Sequence, residues 1–197
     1  MLIKYRFRNS LHDTVEKRLN TLFSPFLVDC QNHANLERCF GILRGCRVAD
    51  AIKVIKCWVN GWATSQRYHE DNLLPCLFGC SGCVDSLSHY LQCPALLALW
   101  RFLALGNASE DPLVRWGLIH PNKVTLLYIS CIFSGYHAVR RDLREVPVSL
   151  TGNQQVLSAV QLRRAWSVFA DAFKVAAREL ALPHRQISLL EFLIAIT

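Results

Sequence analysis

The sequence predicts a mostly α fold, a helical domain interrupted by one small irregular insert. Three observations lead there. Apolar residues recur at helical spacing over most of the chain, as in Leu11, Val15, Leu19 and Leu22. Those stretches are bounded by helix-stopping residues such as Pro25, Gly45 and Pro183. One segment of 18 residues, 76–93, breaks the period and gathers four of the nine cysteines with a histidine. With 52% hydrophobic and 19% charged residues, the 197-residue chain is suited to a buried core and is unlike a disordered one.

Taken in order, residues 1–8 alternate Ile3, Tyr5 and Phe7 with Lys4, Arg6 and Arg8, the period of a strand with one basic face. Such a strand is either an exposed edge or a contact for nucleic acid. Ser10 is placed to cap a helix that Pro25 stops, and a second short helix is expected from about Asn35 to Leu43. A third, from about Ala49 to Trp62, sets Ile52, Ile55, Trp58, Val59 and Trp62 on one stripe, with Lys53 and Lys56 away from it. After the insert, a helix is expected from Pro94 through Leu103, then a loop from Gly106 to Asp111. A long helix from about Asn122 to Leu143 carries Val124, Leu127, Tyr128, Cys131 and Ile132 on its apolar face. Another from about Asn153 to Leu180 carries Val156, Val160, Trp166, Phe169, Phe173 and Ala176. The apolar residues 187–196 suggest a last docked helix. The division expected is 1–70 as an N-terminal helical segment, 71–98 as the insert and 99–197 as a C-terminal helical domain.

The insert holds the chemistry. Cys76, Cys80, His89 and Cys93 form C-x3-C-x8-H-x3-C, the residue types and pairing of a tetrahedral zinc cage. Gly79 and Gly82 permit the sharp turn that brings thiolates 76 and 80 together. His89 and Cys93, four apart, would share one side of a helical turn, which Asp85 and Ser86 are placed to start. Cys83 makes a C-x2-C pair with Cys80 and is a substitute for the second ligand, although only five residues separate it from His89. Cys30, Cys39, Cys46, Cys57 and Cys131 are scattered singly and read as small buried apolar residues. No secretory signal is visible, so metal binding is expected rather than disulfides. The expected fold class is therefore mostly α, a helical domain with a small Cys-Cys-His-Cys zinc-knuckle insert, and the expected cofactor is Zn.

Residues Trp58-Val-Asn-Gly-Trp62-Ala-Thr-Ser-Gln-Arg67, Leu74-Pro75-Cys76 and Asp85-Ser-Leu-Ser-His89-Tyr-Leu-Gln-Cys93-Pro94 resemble the zinc-binding region downstream of the polymerase in non-LTR (LINE-type) retrotransposon reverse transcriptases. The resemblance covers about 58–100. It implies that Cys76, Cys80, His89 and Cys93 ligate zinc, and that Arg67 and nearby cations face nucleic acid. Cys83 departs from the family's plain pattern. A polymerase core is not expected here, because reverse transcription needs paired aspartates and the chain has no Asp-Asp dipeptide. No Pro-Asp…Glu-x-Lys nuclease pattern, second metalloprotease histidine after His69-Glu70, nucleophile elbow or phosphate-binding glycine loop occurs either. The resemblance thus implies a non-enzymatic carboxy-terminal piece.

Charge agrees with an acidic partner. Lys and Arg total 22 against 15 Asp and Glu, a net charge of +7, and 16 of the cations are Arg. Arg140, Arg141 and Arg144 make one basic patch and Arg163 and Arg164 another, either lining a nucleic-acid groove or solvating a helix face. RNA or DNA is the expected partner, a protein partner stays open, and neither a small-molecule substrate nor a membrane is expected. The uncharged stretch 124–139 is too short to span a bilayer. An intracellular site, nuclear or cytoplasmic, is expected. The rival reading is a helical protein-interaction domain stapled by a structural zinc site.

Overall fold

A computed structural model of the chain describes residues 2–24, 32–103, 109–143, 149–151 and 154–180. Its elements are α1 (Leu2–Phe23), α2 (Asn32–Leu43), α3 (Val48–Trp58), α4 (Leu87–Tyr90), α5 (Pro94–Leu103), α6 (Pro112–Arg115), α7 (Lys123–Asp142), β1 (Ser149–Thr151), β2 (Gln154–Val156) and α8 (Ala159–Glu179). The mostly α expectation holds. The expected final helix at 187–196, Cys30 and Arg144 lie outside the described residues.

α7 is the central element. α8 packs along it most extensively, α3 next, and α2 lightly, while α1 lies on α3. Every residue from Leu126 to Phe133 is buried, so α7 is wrapped on all sides and carries no simple amphipathic stripe. Val124, expected on the buried face, sits in the open first turn at 50% exposure. Asn122 caps the helix by accepting the Thr125 N–H at 2.9 Å.

Three boundaries differ from expectation. Residues 2–8 are helical, not a strand: α1 runs unbroken through Ser10 to Phe23. Extending a helix adds one hydrogen bond per residue, whereas a strand there needs a sheet partner, and the one sheet among the described residues is β1 paired with β2. The last long helix starts at Ala159 rather than near Asn153, because Ser158 and Gln161 form a reciprocal capping box. Residues 154–156 instead pair antiparallel with 149–151, and Val160 is 77% exposed.

The third boundary shapes the site. α3 ends at Trp58, four residues short of expectation; of the expected stripe Trp58 is buried and Ile55 half-buried, Ile52 is 47% exposed, and Asp50, Val54 and Cys57 are buried as well. Asn60 then takes a left-handed conformation, φ 55°, and the Gly61 N–H donates to the Lys56 carbonyl at 2.6 Å. A Cβ on Gly61 would lie 2.7 Å from Lys56 Cβ, so only glycine lets the chain fold back this closely. That turn delivers Trp62 into the core without a helix. Its ring meets Tyr136 at 4.3 Å, Tyr90 at 5.3 Å and Trp116 at 5.8 Å between centroids. Trp58 donates its indole N–H to the Trp116 carbonyl at 2.8 Å, and Trp62 donates to the Cys57 sulfur at 3.1 Å.

The insert is part of this core. Cys76, Leu77, Phe78, Tyr90, Leu91 and Cys93 are buried in the same apolar cluster as α7 and α8, with Phe78 5.2 Å from Trp166 and 5.3 Å from Phe169.

Candidate metal centre

Residues 74–76 and 83–85 run antiparallel. The Cys76 N–H donates to the Cys83 carbonyl at 2.8 Å and the Asp85 N–H to the Leu74 carbonyl at 2.8 Å, around a bridge from Pro75 to Val84. At the turn, Gly79 and Gly82 have φ of 91° and 69°, and the Gly79 N–H closes back on the Cys76 carbonyl at 3.1 Å. This reversal brings Cys80 over Cys76. Ser86, not Asp85, starts α4, accepting the His89 N–H at 3.2 Å. Cys93 stands immediately before α5, its carbonyl accepting the Leu97 N–H at 2.8 Å. His89 and Cys93 therefore straddle two short helices rather than sharing one turn.

The four side chains converge. One ligand atom from each of Cys76, Cys80, His89 and Cys93 lies within 4.8 Å of the other three, a group able to hold a metal ion. The Cys93 sulfur is 3.5 Å from that of Cys80 and 3.9 Å from that of Cys76. Two thiolates bound to one ion at about 2.3 Å in a tetrahedron stand about 3.8 Å apart, so this spacing is already that of a coordination shell. His89 Nε2 is buried without a hydrogen-bond partner, an orphan that costs free energy unless an ion takes its lone pair. The donor set and the orphan both fit a resident metal. Cys83 contributes its backbone carbonyl and stands outside the group.

The surroundings favour thiolates. Backbone N–H groups of Phe78 and Cys80 face the Cys76 sulfur, that of Ala95 faces Cys80 and that of Leu96 faces Cys93. The last two are free donors of the first turn of α5. Cys76 is the first of the thiols to ionise. The hydrogen bond from Cys93, against the cost of burial and with help from His89, holds it well below the ordinary thiol value. That same bond, then burial, pushes Cys93 up, and burial followed by the Cys76 charge raises Cys80. Ligation by all three sulfurs therefore releases protons. The scattered cysteines differ: burial pushes Cys39, Cys57 and Cys131 each up to about 12, and all eight described cysteines are free.

Asp85, expected only as a helix starter, is instead a buried carboxylate. Asp85 has no exposed surface. Its Oδ2 accepts the Ser65 N–H at 2.7 Å, and its Oδ1 accepts the hydroxyls of Tyr90 at 2.7 Å and Tyr136 at 2.9 Å. Arg140 Nε stands 3.7 Å from Oδ2. Burial raises the Asp85 pKa beyond what Tyr90, Ser65, Tyr136 and Arg140 offset. The signal available in sequence was Tyr90 within the insert and Tyr136 on the long helix after it, since a buried phenol usually finds a partner.

The basic residues disperse. Arg140, expected to face nucleic acid, turns inward at 11% exposure, donating to the Ala63 carbonyl at 3.1 Å and to Glu70 beside Asp85. The Asp85 carboxylate and the Glu70 side chain hold it there. Arg141 and Arg163 are exposed, and Arg164 is clamped by Asp142 through bonds of 2.7 and 2.8 Å. Arg67 is exposed. No helix among the described residues is long and apolar enough to cross a membrane. No family model matches the chain, and no curated protein or solved structure is similar enough to assign it to a family.

Proposed function

We propose that the chain is a zinc-stapled nucleic-acid-binding segment, related to the carboxy-terminal part of a retrotransposon reverse transcriptase and without a catalytic role of its own. The observation that carries this reading is the convergence of Cys76, Cys80, His89 and Cys93 at tetrahedral spacing. Three thiolates with one imidazole suit zinc over harder ions. Four protein ligands leave no position for a reacting water, so the ion's task is to fix the 74–93 loop, and through it the chain around Arg67. The net charge of +7 and the resemblance of 58–100 supply the nucleic-acid half of the reading. Arg67 keeps its place in the proposed interface and Arg140 leaves it.

Titration with RNA and DNA at several salt concentrations tests this. Binding whose log affinity falls linearly with log salt supports phosphate recognition. No binding to either at low salt, with zinc present, would favour the protein-interaction reading instead.

A further inference from the structure

The three sulfurs of the metal group differ in their access to solvent. Cys76 and Cys93 are each 1% exposed, whereas Cys80, on the hairpin turn, is half-buried. A small oxidant therefore reaches the Cys80 sulfur before the other two, and oxidation of thiolates follows access. That sulfur stands 3.5 Å from the Cys93 sulfur, closer than the 3.9 Å between Cys76 and Cys93. A disulfide holds its two sulfurs about 2.0 Å apart, so Cys80 and Cys93 need little movement to bond. The scattered thiols are placed otherwise. Cys39, Cys57 and Cys131 are fully buried, and the Cys46 sulfur donates to the Ile42 carbonyl at 3.6 Å. Cys83 is half-buried like Cys80, but it stands outside the group and presents its carbonyl to the Cys76 N–H.

We propose that the metal group is also a redox switch, in which hydrogen peroxide joins Cys80 to Cys93 and the zinc ion is released. The inference rests on the zinc reading above and names a regulation of that same site. The Cys80 thiolate attacks one oxygen of the peroxide; the O–O bond breaks, hydroxide leaves and Cys80 becomes a sulfenic acid. The Cys93 thiolate then attacks the Cys80 sulfur and expels its oxygen as a second hydroxide. The two sulfurs lose two electrons and the peroxide gains them. Two of the four donors are now spent in a disulfide, and Cys76 with His89 is too small a set for a closed tetrahedral site. The new bond ties the hairpin turn to the residue before α5 in place of the ion, so a thiol reductant returns both ligands by exchange.

The test uses the intact zinc-loaded chain, hydrogen peroxide as the probe and a colorimetric zinc indicator as the readout. Metal content is measured first, so a chain that holds no zinc overturns the zinc reading, and this proposal with it, before peroxide is added. Stoichiometric peroxide is expected to release most of the zinc, and dithiothreitol with added zinc to restore it. Chymotryptic cleavage after Phe78 and Tyr90 puts Cys76, Cys80 with Cys83, and Cys93 on separate peptides. Mass spectrometry is expected to find the Cys80 peptide linked to the Cys93 peptide, with Cys76 and Cys83 still open to alkylation. Cys83→Ser keeps all four ligands and should release zinc at the unaltered rate. A bond from Cys80 to Cys83 or from Cys76 to Cys93, or a release that Cys83→Ser abolishes, overturns the assigned pair. Release that dithiothreitol does not reverse overturns the switch. Zinc retained while peroxide oxidises other thiols also overturns the switch and leaves the zinc site standing.

Discussion

Replacing Asp85 with Asn tests the buried network behind the metal group. The carboxylate accepts three hydrogen bonds through two oxygens: Ser65 N–H on Oδ2, and Tyr90 and Tyr136 hydroxyls on Oδ1. An amide has one acceptor oxygen. If that oxygen stays with the tyrosines, the amide NH2 confronts the Ser65 N–H; if it turns to Ser65, two buried hydroxyls lose their acceptor. A buried donor left without a partner costs about 1–3 kcal/mol. Arg140 also loses a charge 3.7 Å away but keeps Glu70 and the Ala63 carbonyl. The expected loss is about 2–4 kcal/mol, read as a lower urea midpoint at unchanged slope. Tyr136→Phe, which leaves Tyr90 on the same oxygen, should cost about 1 kcal/mol. The sign with pH follows from the raised Asp85 pKa. Its contribution is full below the unfolded value and falls as pH rises through the folded one, so the gap between the chain and Asp85→Asn should widen toward acid. Asp85→Asn within about 0.5 kcal/mol of the unaltered chain, or a gap that widens toward neutral pH, would refute this reasoning.

Asp50 should behave oppositely. Although burial pushes it up, hydrogen bonds from Arg47 and Ser130 hold its pKa below the ordinary 3.8, so its stabilisation is present above that value and lost as pH falls through the folded one. Asp50→Asn should flatten the acid limb of a stability-against-pH curve. Gly135→Ala should cost about 1–3 kcal/mol in denaturant, since the new Cβ would lie 2.5 Å from the Phe169 ring at the α7–α8 contact. Chelation should collapse the near-ultraviolet signal, because Phe78 and Tyr90 of the insert pack on Trp166 and Trp62, while far-ultraviolet circular dichroism keeps most of its helical intensity. Loss of both signals together would mean that α7 and α8 do not hold without the ion.

The metal group was legible because its ligands are close in sequence and chemically distinctive: spacing alone separated Cys76, Cys80, His89 and Cys93 from five scattered thiols. The long helices were legible for the same local reason. What escaped depends on contacts distant in sequence. Arg140 read as one of three neighbouring cations, and only the approach of Ala63, Glu70 and Asp85 turns it inward. The α3 stripe held for Trp58 and Trp62 but the helix end did not, because Trp62 reaches the core through the Asn60-Gly61 turn, which helical periodicity does not register. Residues 2–8 alternate like a strand, and their helicity follows from continuity with α1. Asp85 stood in the sequence as a helix starter beside Ser86; its burial is set by two tyrosines 5 and 51 positions away.

Whether Cys76, Cys80, His89 and Cys93 hold a resident zinc ion is decided by the metal content of three purified chains. The unaltered chain, expressed without added metal, should carry close to one zinc per molecule. Cys80→Ser should lose most of it and Cys83→Ser should keep it, since the Cys80 sulfur stands 3.5 Å from that of Cys93 while Cys83 contributes only its carbonyl to the loop. Zinc retained in Cys80→Ser and lost in Cys83→Ser would contradict the ligand set. An unaltered chain that carries no zinc, and takes up none when zinc is supplied, would contradict a resident zinc ion.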